Sequence, residues 1–228
     1  MTNNKLVSVV MSAYNSESTI SDSIDSILSQ SYKNLELLII DDGSSDQTYD
    51  KIKGYKNIHI FKNKNNLGLT KSLNSLLLEA KGEYIARQDA DDISHVDRIK
   101  KQVTLIEKYD LDFCSTRART HPGNKNRPGL TFYAPTKLSI KFKNPFIHGT
   151  LLIKKNILKE VGFYNEKFYY SQDYKLMYDL IEKGYKYKIL KEPLYRLNIK
   201  NNISEIKKTE QKYYADCVKN NVEPELKS

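Results

Sequence analysis

The stretch Tyr84-Ile85-Ala86-Arg87-Gln88-Asp89-Ala90-Asp91-Asp92 passes from an apolar run into three carboxylates within four residues. Read as a strand continuing into an extended segment, it places Asp89 and Asp91 on one face, where two hard oxygen donors can share a divalent cation. A diphosphate could complete such a shell. The structural alternative is an acidic start to the helix expected near Val96, with Asp92, Ser94 and Asp97 capping orphan amides and complementing the dipole. An EF-hand loop also opens Asp-x-Asp, but it needs an oxygen ligand at its fifth position and glycine at its sixth. Ile93 and Ser94 stand there instead, which excludes it.

Upstream the same strand-into-polar-end pattern recurs. Leu6 to Met11 reads as a buried strand, followed by Ile20, Ile24, Ile27 and Leu28 at helical spacing behind Ser16 and Ser18. Leu35 to Ile40 is a second strand, before a short polar helix over 46–53. Ile58 to Phe61 is a third, before a helix from Thr70 whose Leu73, Leu76, Leu77 and Ala80 share a face. Tyr84 to Ala86 is the fourth, and Val96, Ile99, Val103 and Ile106 repeat as a further amphipathic helix. Repeated β-α units of this size argue for an α/β fold, a Rossmann-like, mainly parallel sheet flanked by helices. In such sheets ligands bind beyond the carboxyl ends of the strands.

Those ends carry Ser12-Ala13-Tyr14-Asn15, Asp41-Asp42-Gly43-Ser44-Ser45-Asp46 and the acidic stretch. Each has a local reading: Asn15 and Gly43 as turn residues, Asp41 as a strand terminator, Asp46 as a helix N-cap. Together they put an aromatic ring, acceptors for a base or ribose, and a metal cradle at one sheet edge.

A chain of 228 residues suffices for one large domain with a substantial core, and 39% apolar with 29% charged residues is ordinary for a globular protein. No apolar run approaches the roughly eighteen residues of a membrane helix. Met1-Thr2-Asn3-Asn4-Lys5 leads directly into strand-like sequence with no signal-peptide core. Cys114 and Cys217 form no CxxC, so a cytoplasmic, reducing location is the expectation. The net charge of +9 divides unevenly: residues 1–136 hold 18 Lys+Arg against 17 Asp+Glu, and residues 137–228 hold 19 against 11, so +8 lies in the second part. That excess suits a polyanionic partner, either a phosphate-bearing substrate or an anionic membrane bound weakly at its surface. No RGG-like tract, RNA-reading aromatic motif or Cys/His finger accompanies it, and nucleic acid is not expected. His59, His95 and His121 show no ligand spacing, and no His-Glu-x-x-His, Gly-x-Ser-x-Gly or Gly-x-x-x-x-Gly-Lys pattern occurs. Hydrolase and kinase readings lose their support.

Taken in order, Val7 to Asn15, Ile39-Ile40-Asp41-Asp42-Gly43-Ser44-Ser45-Asp46, Asn66-Leu67-Gly68, Lys81-Gly82-Glu83-Tyr84-Ile85 and Asp89-Ala90-Asp91-Asp92 resemble the family 2 glycosyltransferases with the GT-A fold. The resemblance continues through Asp97-Arg98, Gln102, His148-Gly149-Thr150, Gly162-Phe163-Tyr164 and Gln172-Asp173-Tyr174. It implies an inverting enzyme that uses a nucleoside-diphosphate sugar, UDP-linked. It also implies that Ala13, Tyr14, Asn15 and Asp89 border the nucleotide, that Asp42 accepts from the base imide, and that Asp41 supports base or ribose. Asp89 and Asp91 match the family's Asp-x-Asp, which holds Mn²⁺ or Mg²⁺ between the phosphates and offsets charge on the departing diphosphate.

By the same resemblance Asp173 is the base that takes the acceptor's proton, with Gln172 where the family often has glutamate. Its structural alternative is a first-turn residue of the helix carrying Leu176, Met177, Leu180 and Ile181. His148 is the second catalytic candidate, and a satisfied core histidine is its alternative. The halves then divide as 1–110 for the nucleotide-sugar and 111–200 for acceptor binding and catalysis, with a helical tail over 201–228, amphipathic from Ile203 to Asn220. Residues 117–136 read as a long irregular excursion, a candidate lid. The tyrosines from Phe163 to Tyr178 and at Tyr185 and Tyr187 could stack on sugars, though most read as interior. Gln-x-x-Arg-Trp and tryptophan are absent, so transfer of one sugar to a saccharide or lipid-linked acceptor, in surface polysaccharide or glycoconjugate synthesis, is expected over polymer extrusion. Two other classes stay open. A nucleotidyltransferase should show a Gly- and basic-rich loop where Ser12-Ala13-Tyr14-Asn15 stands, and a catalytically inactive nucleotide-sugar-binding module would keep the sheet without the chemistry.

Overall fold

Four strands, β1 (Val7–Ala13), β2 (Leu35–Asp41), β3 (His59–Lys62) and β4 (Tyr84–Arg87), lie in the order β3-β2-β1-β4 with every pairing parallel. The computed structural model describes residues 4–200 and 207–225. Strands buried on both faces need apolar residues at consecutive positions, which is why the central runs of β1 and β2 do not simply alternate, whereas β3 at the sheet edge exposes His59 and Lys62. Val9, Leu37 and Ile39 enter one core, and Val10, Leu38 and Ile40 enter the other. The first core is covered by α1 (Ile20–Leu28) and α4 (Arg98–Tyr109) through Ile20, Ile24, Ile27, Ile99, Val103 and Ile106, with Ile52 of α2 (Thr48–Lys53) beside them. The second is covered by α3 (Leu69–Glu79) through Leu73, Leu76 and Leu77. Burying each such side chain contributes about 1.5–3 kcal/mol.

The remaining strands are β5 (Ile93–Ser94), β6 (Phe113–His121), β7 (Asn126–Arg127), β8 (Leu152–Lys154) and β9 (Tyr187–Asn198), continuing the order as β4-β8-β6-β9-β5 with β7 beside β6. Here β8 enters antiparallel between β4 and β6, β6 and β9 run parallel, and β5 is antiparallel to β9. Only residues 88–92 separate β4 from β5, so the sheet has to curl until β9 and β5 return over the carboxyl end of β4. That curl encloses the acidic turn.

Several boundaries differ from the sequence reading for identifiable reasons. β1 extends past Met11, because Ser12 and Ala13 pair with Ile40 and Asp41 and so carry Tyr14 to the sheet edge. Val96 precedes α4 and is exposed; the first helical turn buries Arg98 instead. Residues 117–121 belong to β6 and pair with β9, so the expected irregular excursion begins only after His121. Arginines disguised that strand: Arg117 is buried, donates to Pro128 O and lies 4.8 Å from the Phe132 ring centroid. Beyond β7 come a short 3₁₀ turn at Leu130–Tyr133 and α5 (Thr136–Ser139).

The second core is completed by α6 (Lys155–Glu160), α7 (Gln172–Glu182), whose Leu176, Met177, Leu180 and Ile181 are buried as read, and α8 (Lys208–Lys219), which adds Cys217 and Val218. The expected tail helix begins at Ile203, but 203–206 lie outside the described residues, as do Met1-Thr2-Asn3. No helix among the described residues is long and apolar enough to cross a membrane.

Candidate active site

The acidic stretch is a turn, not an extended segment: the Asp92 amide reaches back to Asp89 O at 3.4 Å. Alternation along a strand therefore does not bring Asp89 and Asp91 together; the turn does. Asp89 Oδ1 lies 2.6 Å from Nη2 of Arg87, itself 1% exposed. Asp91 stands at the exposed rim, yet lost water around its carboxyl and the nearby Asp89 charge push its pKa up to about 6. Asp92 is buried, and Oδ1 accepts from the Asn198 amide at 2.6 Å, so it ties β9 to the turn instead of capping α4. Burial and its two acidic neighbours raise that carboxyl well above the usual range.

A polar scaffold that the sequence reading did not assign holds this turn. Buried Gln88 donates to Asp92 O at 2.9 Å and accepts from Ser94 Oγ at 2.7 Å. Buried Arg98 donates to the carbonyls of Arg87 and Gly149, each at 3.1 Å, and Gln102 donates to Thr150 O at 2.7 Å. The Asp97-Arg98…Gln102 and His148-Gly149-Thr150 pieces are thus two sides of one contact. The sequence reading drew no link between them, because no local pattern distinguishes a buried arginine from a surface one.

Gly149 packs directly against the acidic turn. A Cβ there would lie 2.3 Å from Tyr195 Oη and 2.5 Å from Asp89 Oδ2. Tyr195 Oη in turn accepts the Asp89 amide at 3.1 Å. Next to it, His148 Nε2 meets Tyr164 Oη at 2.8 Å. Burial, then the Arg87 charge, lowers the His148 pKa, with Asp173 and Asp89 pulling the other way, so the imidazole is neutral at pH 7. Asp173 occupies the first turn of α7, half-buried, with Oδ2 accepting from Asn144 Nδ2 at 2.8 Å. The structure therefore brings Asp89, Asp91, His148 and Asp173 into one electrostatic neighbourhood.

The other expected residues line the β1 and β2 ends. Ala13 is buried and Tyr14 is 49% exposed, its ring free to take a planar ligand. Asn15 spends Oδ1 on the Ser45 amide at 2.9 Å and so fastens the two strand ends together. Asp42 is spent more fully than the sequence reading allows: Oδ1 accepts from Asn63 Nδ2 at 2.7 Å and the Leu67 amide at 2.9 Å, and Oδ2 from the Gly68 amide at 2.9 Å. A carboxylate offers about four lone-pair sites, which leaves one at Oδ2. Asp41 Oδ1 takes the Ser44 amide at 3.3 Å, while its buried Oδ2 has no partner among the described residues.

No three His, Cys, Asp or Glu side chains among the described residues form a metal cage by themselves. The donors on hand are two carboxylates at an open rim, with Asp91 the freer because Asp89 is paired with Arg87. One or two carboxylates completed by substrate phosphates and water is how Mg²⁺ is commonly held, and the residues fit such a cation.

Residues 8–164 match the family model described as "Glycosyl transferase family 2". The chain is 36% identical over 200 residues to the "Putative glycosyltransferase EpsE" of Bacillus subtilis (strain 168), covering 84% of this chain and 72% of that protein. It is 32% identical over 196 residues to the "UDP-Glc:alpha-D-GlcNAc-diphosphoundecaprenol beta-1,3-glucosyltransferase WfaP" of Escherichia coli, covering 80% of this chain and 72% of that one. The crystal structure of S. aureus TarS 1–349 in complex with UDP shares the fold at a TM-score of 0.76 and 21% identity, over 96% of this chain and 67% of that one. The chain belongs to glycosyl transferase family 2 and is a glycosyltransferase with the GT-A fold.

Proposed function

We propose that this glycosyltransferase moves one sugar, with inversion, from a UDP-sugar to a saccharide or lipid-linked acceptor, and depends on Mn²⁺ or Mg²⁺ in doing so. The observation that carries the reading is the Gly149 contact, which sets the His148 turn against Asp89 and so joins a donor half, 1–110, to an acceptor half, 111–200. The E. coli relative, named for a UDP-linked donor and a diphosphoundecaprenol acceptor, supports the substrate classes.

Tyr14 stacks on the base, and Ala13 and Asn15 border the nucleotide. The remaining lone pair of Asp42 Oδ2 takes the imide N–H, and Asp41 backs the base or ribose. Asp91, with Asp89, would hold the divalent cation, which when bound neutralises charge on the leaving diphosphate. Asp173 does the proton work. Asn144 fixes one carboxylate oxygen, and the other is left to take the proton of the acceptor hydroxyl as the hydroxyl oxygen attacks C1 and the bond from C1 to the diphosphate breaks. His148, neutral and held by Tyr164, is placed to orient the acceptor or diphosphate. Incubation with UDP-sugars, Mn²⁺ and a polyprenyl-diphosphate-linked saccharide should release UDP and extend the acceptor by one sugar. Nucleotide-sugar binding without any transfer would favour an inactive binding module.

Asp91→Ala should abolish divalent-dependent binding of UDP while the melting temperature stays near wild type, because the residue lies at the exposed rim. In the wild type that binding should weaken as pH falls through about 6, since only the ionised carboxylate ligates. Calorimetry showing unchanged, Mn²⁺-dependent affinity in the variant would remove Asp91 from the site.

The basic excess of residues 137–228 further supports peripheral association with an anionic, cytoplasmic membrane face. With each basic group near such a surface worth about 1 kcal/mol, weak binding to acidic vesicles that fades with added salt is expected. No sedimentation with vesicles at low ionic strength would leave the lysines as a solvated surface.

A further inference from the structure

A cavity of about 400 Å³ opens behind the acidic turn, between β5 and the ends of β6 and β9. Arg119 of β6 and Arg196 of β9 are directly paired in parallel register and both line it. Side chains so paired leave the sheet on the same face, from strands about 4.8 Å apart. His95 and His121 line the same space, and no carboxylate does. Neither arginine meets an acidic partner among the described residues. Like charges directly opposite on neighbouring strands are destabilising, so the pair gains when an anion comes between them. Two planar guanidinium forks side by side can take the oxygens of an oxyanion bidentately, and a diphosphate offers enough oxygens and charge to engage both. The register of β6 against β9 shifts on either side of Arg117, and such irregularities re-aim side chains near sites.

The cavity also shares a wall with the catalytic turn. Tyr195 lines it and accepts the Asp89 amide, and Ser94 lines it and donates to Gln88. We infer that Arg119 and Arg196 form a second phosphate site, distinct from the donor's, which takes the diphosphate of a lipid-linked acceptor. The choice of occupant rests on the reading given under Proposed function; the phosphate chemistry does not.

Inorganic pyrophosphate, titrated by calorimetry into Asp91→Ala so that the donor site is disabled, should bind at the arginine pair. Adding Arg119→Gln and Arg196→Gln should weaken it by at least about 10-fold, the worth of lost charge-assisted hydrogen bonds, with the melting temperature unchanged. In the otherwise wild-type enzyme the two substitutions should raise KM for a polyprenyl-diphosphate-linked acceptor by a similar factor and leave KM for the UDP-sugar alone. Equal pyrophosphate binding with and without the arginines would overturn the site. An unchanged acceptor KM together with lost binding to phosphatidylglycerol vesicles would overturn the acceptor assignment in favour of a membrane headgroup. Arginine-dependent pyrophosphate binding in a protein that transfers no sugar would uphold the phosphate site and reject the transferase reading on which its occupant rests.

Discussion

Asp173→Asn is expected to lower single-turnover transfer by about 10²–10⁴-fold, the usual worth of a general base, while UDP-sugar affinity stays near wild type. Asparagine is isosteric, so it can keep the hydrogen bond to Asn144 and its place in the first turn of α7. A residue that only served the helix would lose almost nothing. Measuring donor binding and transfer on the same variant decides between the two, and wild-type turnover would move the base elsewhere. His148, held by Tyr164, would then be tested next.

Gly149→Ala should cost at least about 10²-fold in transfer without replacing any of the side chains proposed to act in it, since a misplacement of about 1 Å is enough for that loss. The added methyl would sit 2.3 Å from Tyr195 Oη and 2.5 Å from Asp89 Oδ2, and neither can yield cheaply. Tyr195 is buried and accepts the Asp89 amide, and Asp89 is paired with Arg87. Relief of the clash must therefore move the acidic turn, and overpacking of this kind destabilises by about 1–3 kcal/mol. Thermal melting and UDP affinity measured together would show both effects. Gly54→Ala is the control, because Gly54 has right-handed helical dihedrals and only a 3.3 Å contact to Lys51 O. Near-normal transfer by Gly149→Ala would mean that the 148–150 turn and the acidic turn are not rigidly joined.

By itself the sequence determined the first four strands, the helices between them, and the motif residues at the strand ends. These rest on properties carried by neighbours in the chain: the 3.6-residue period of Ile20, Ile24 and Ile27, and the unbroken apolar runs of strands covered on both faces. The order of motif pieces also carried the family, because spacing survives where single residues change. Only the tertiary structure decided that β8 enters antiparallel, that β6 runs on through Arg117 and Arg119, and that the sheet curls until Tyr195 reaches Asp89. It likewise decided which polar atoms are spent and which are free. Asp42 has three of its acceptor sites taken by Asn63, Leu67 and Gly68, Asp92 holds Asn198 of β9 instead of capping a helix, and Arg87 and Arg98 are buried beside the acidic turn. Whether a charged group is buried, and what neutralises it there, depends on partners that lie up to about a hundred positions away, as Asn198 does from Asp92, and no local period encodes them.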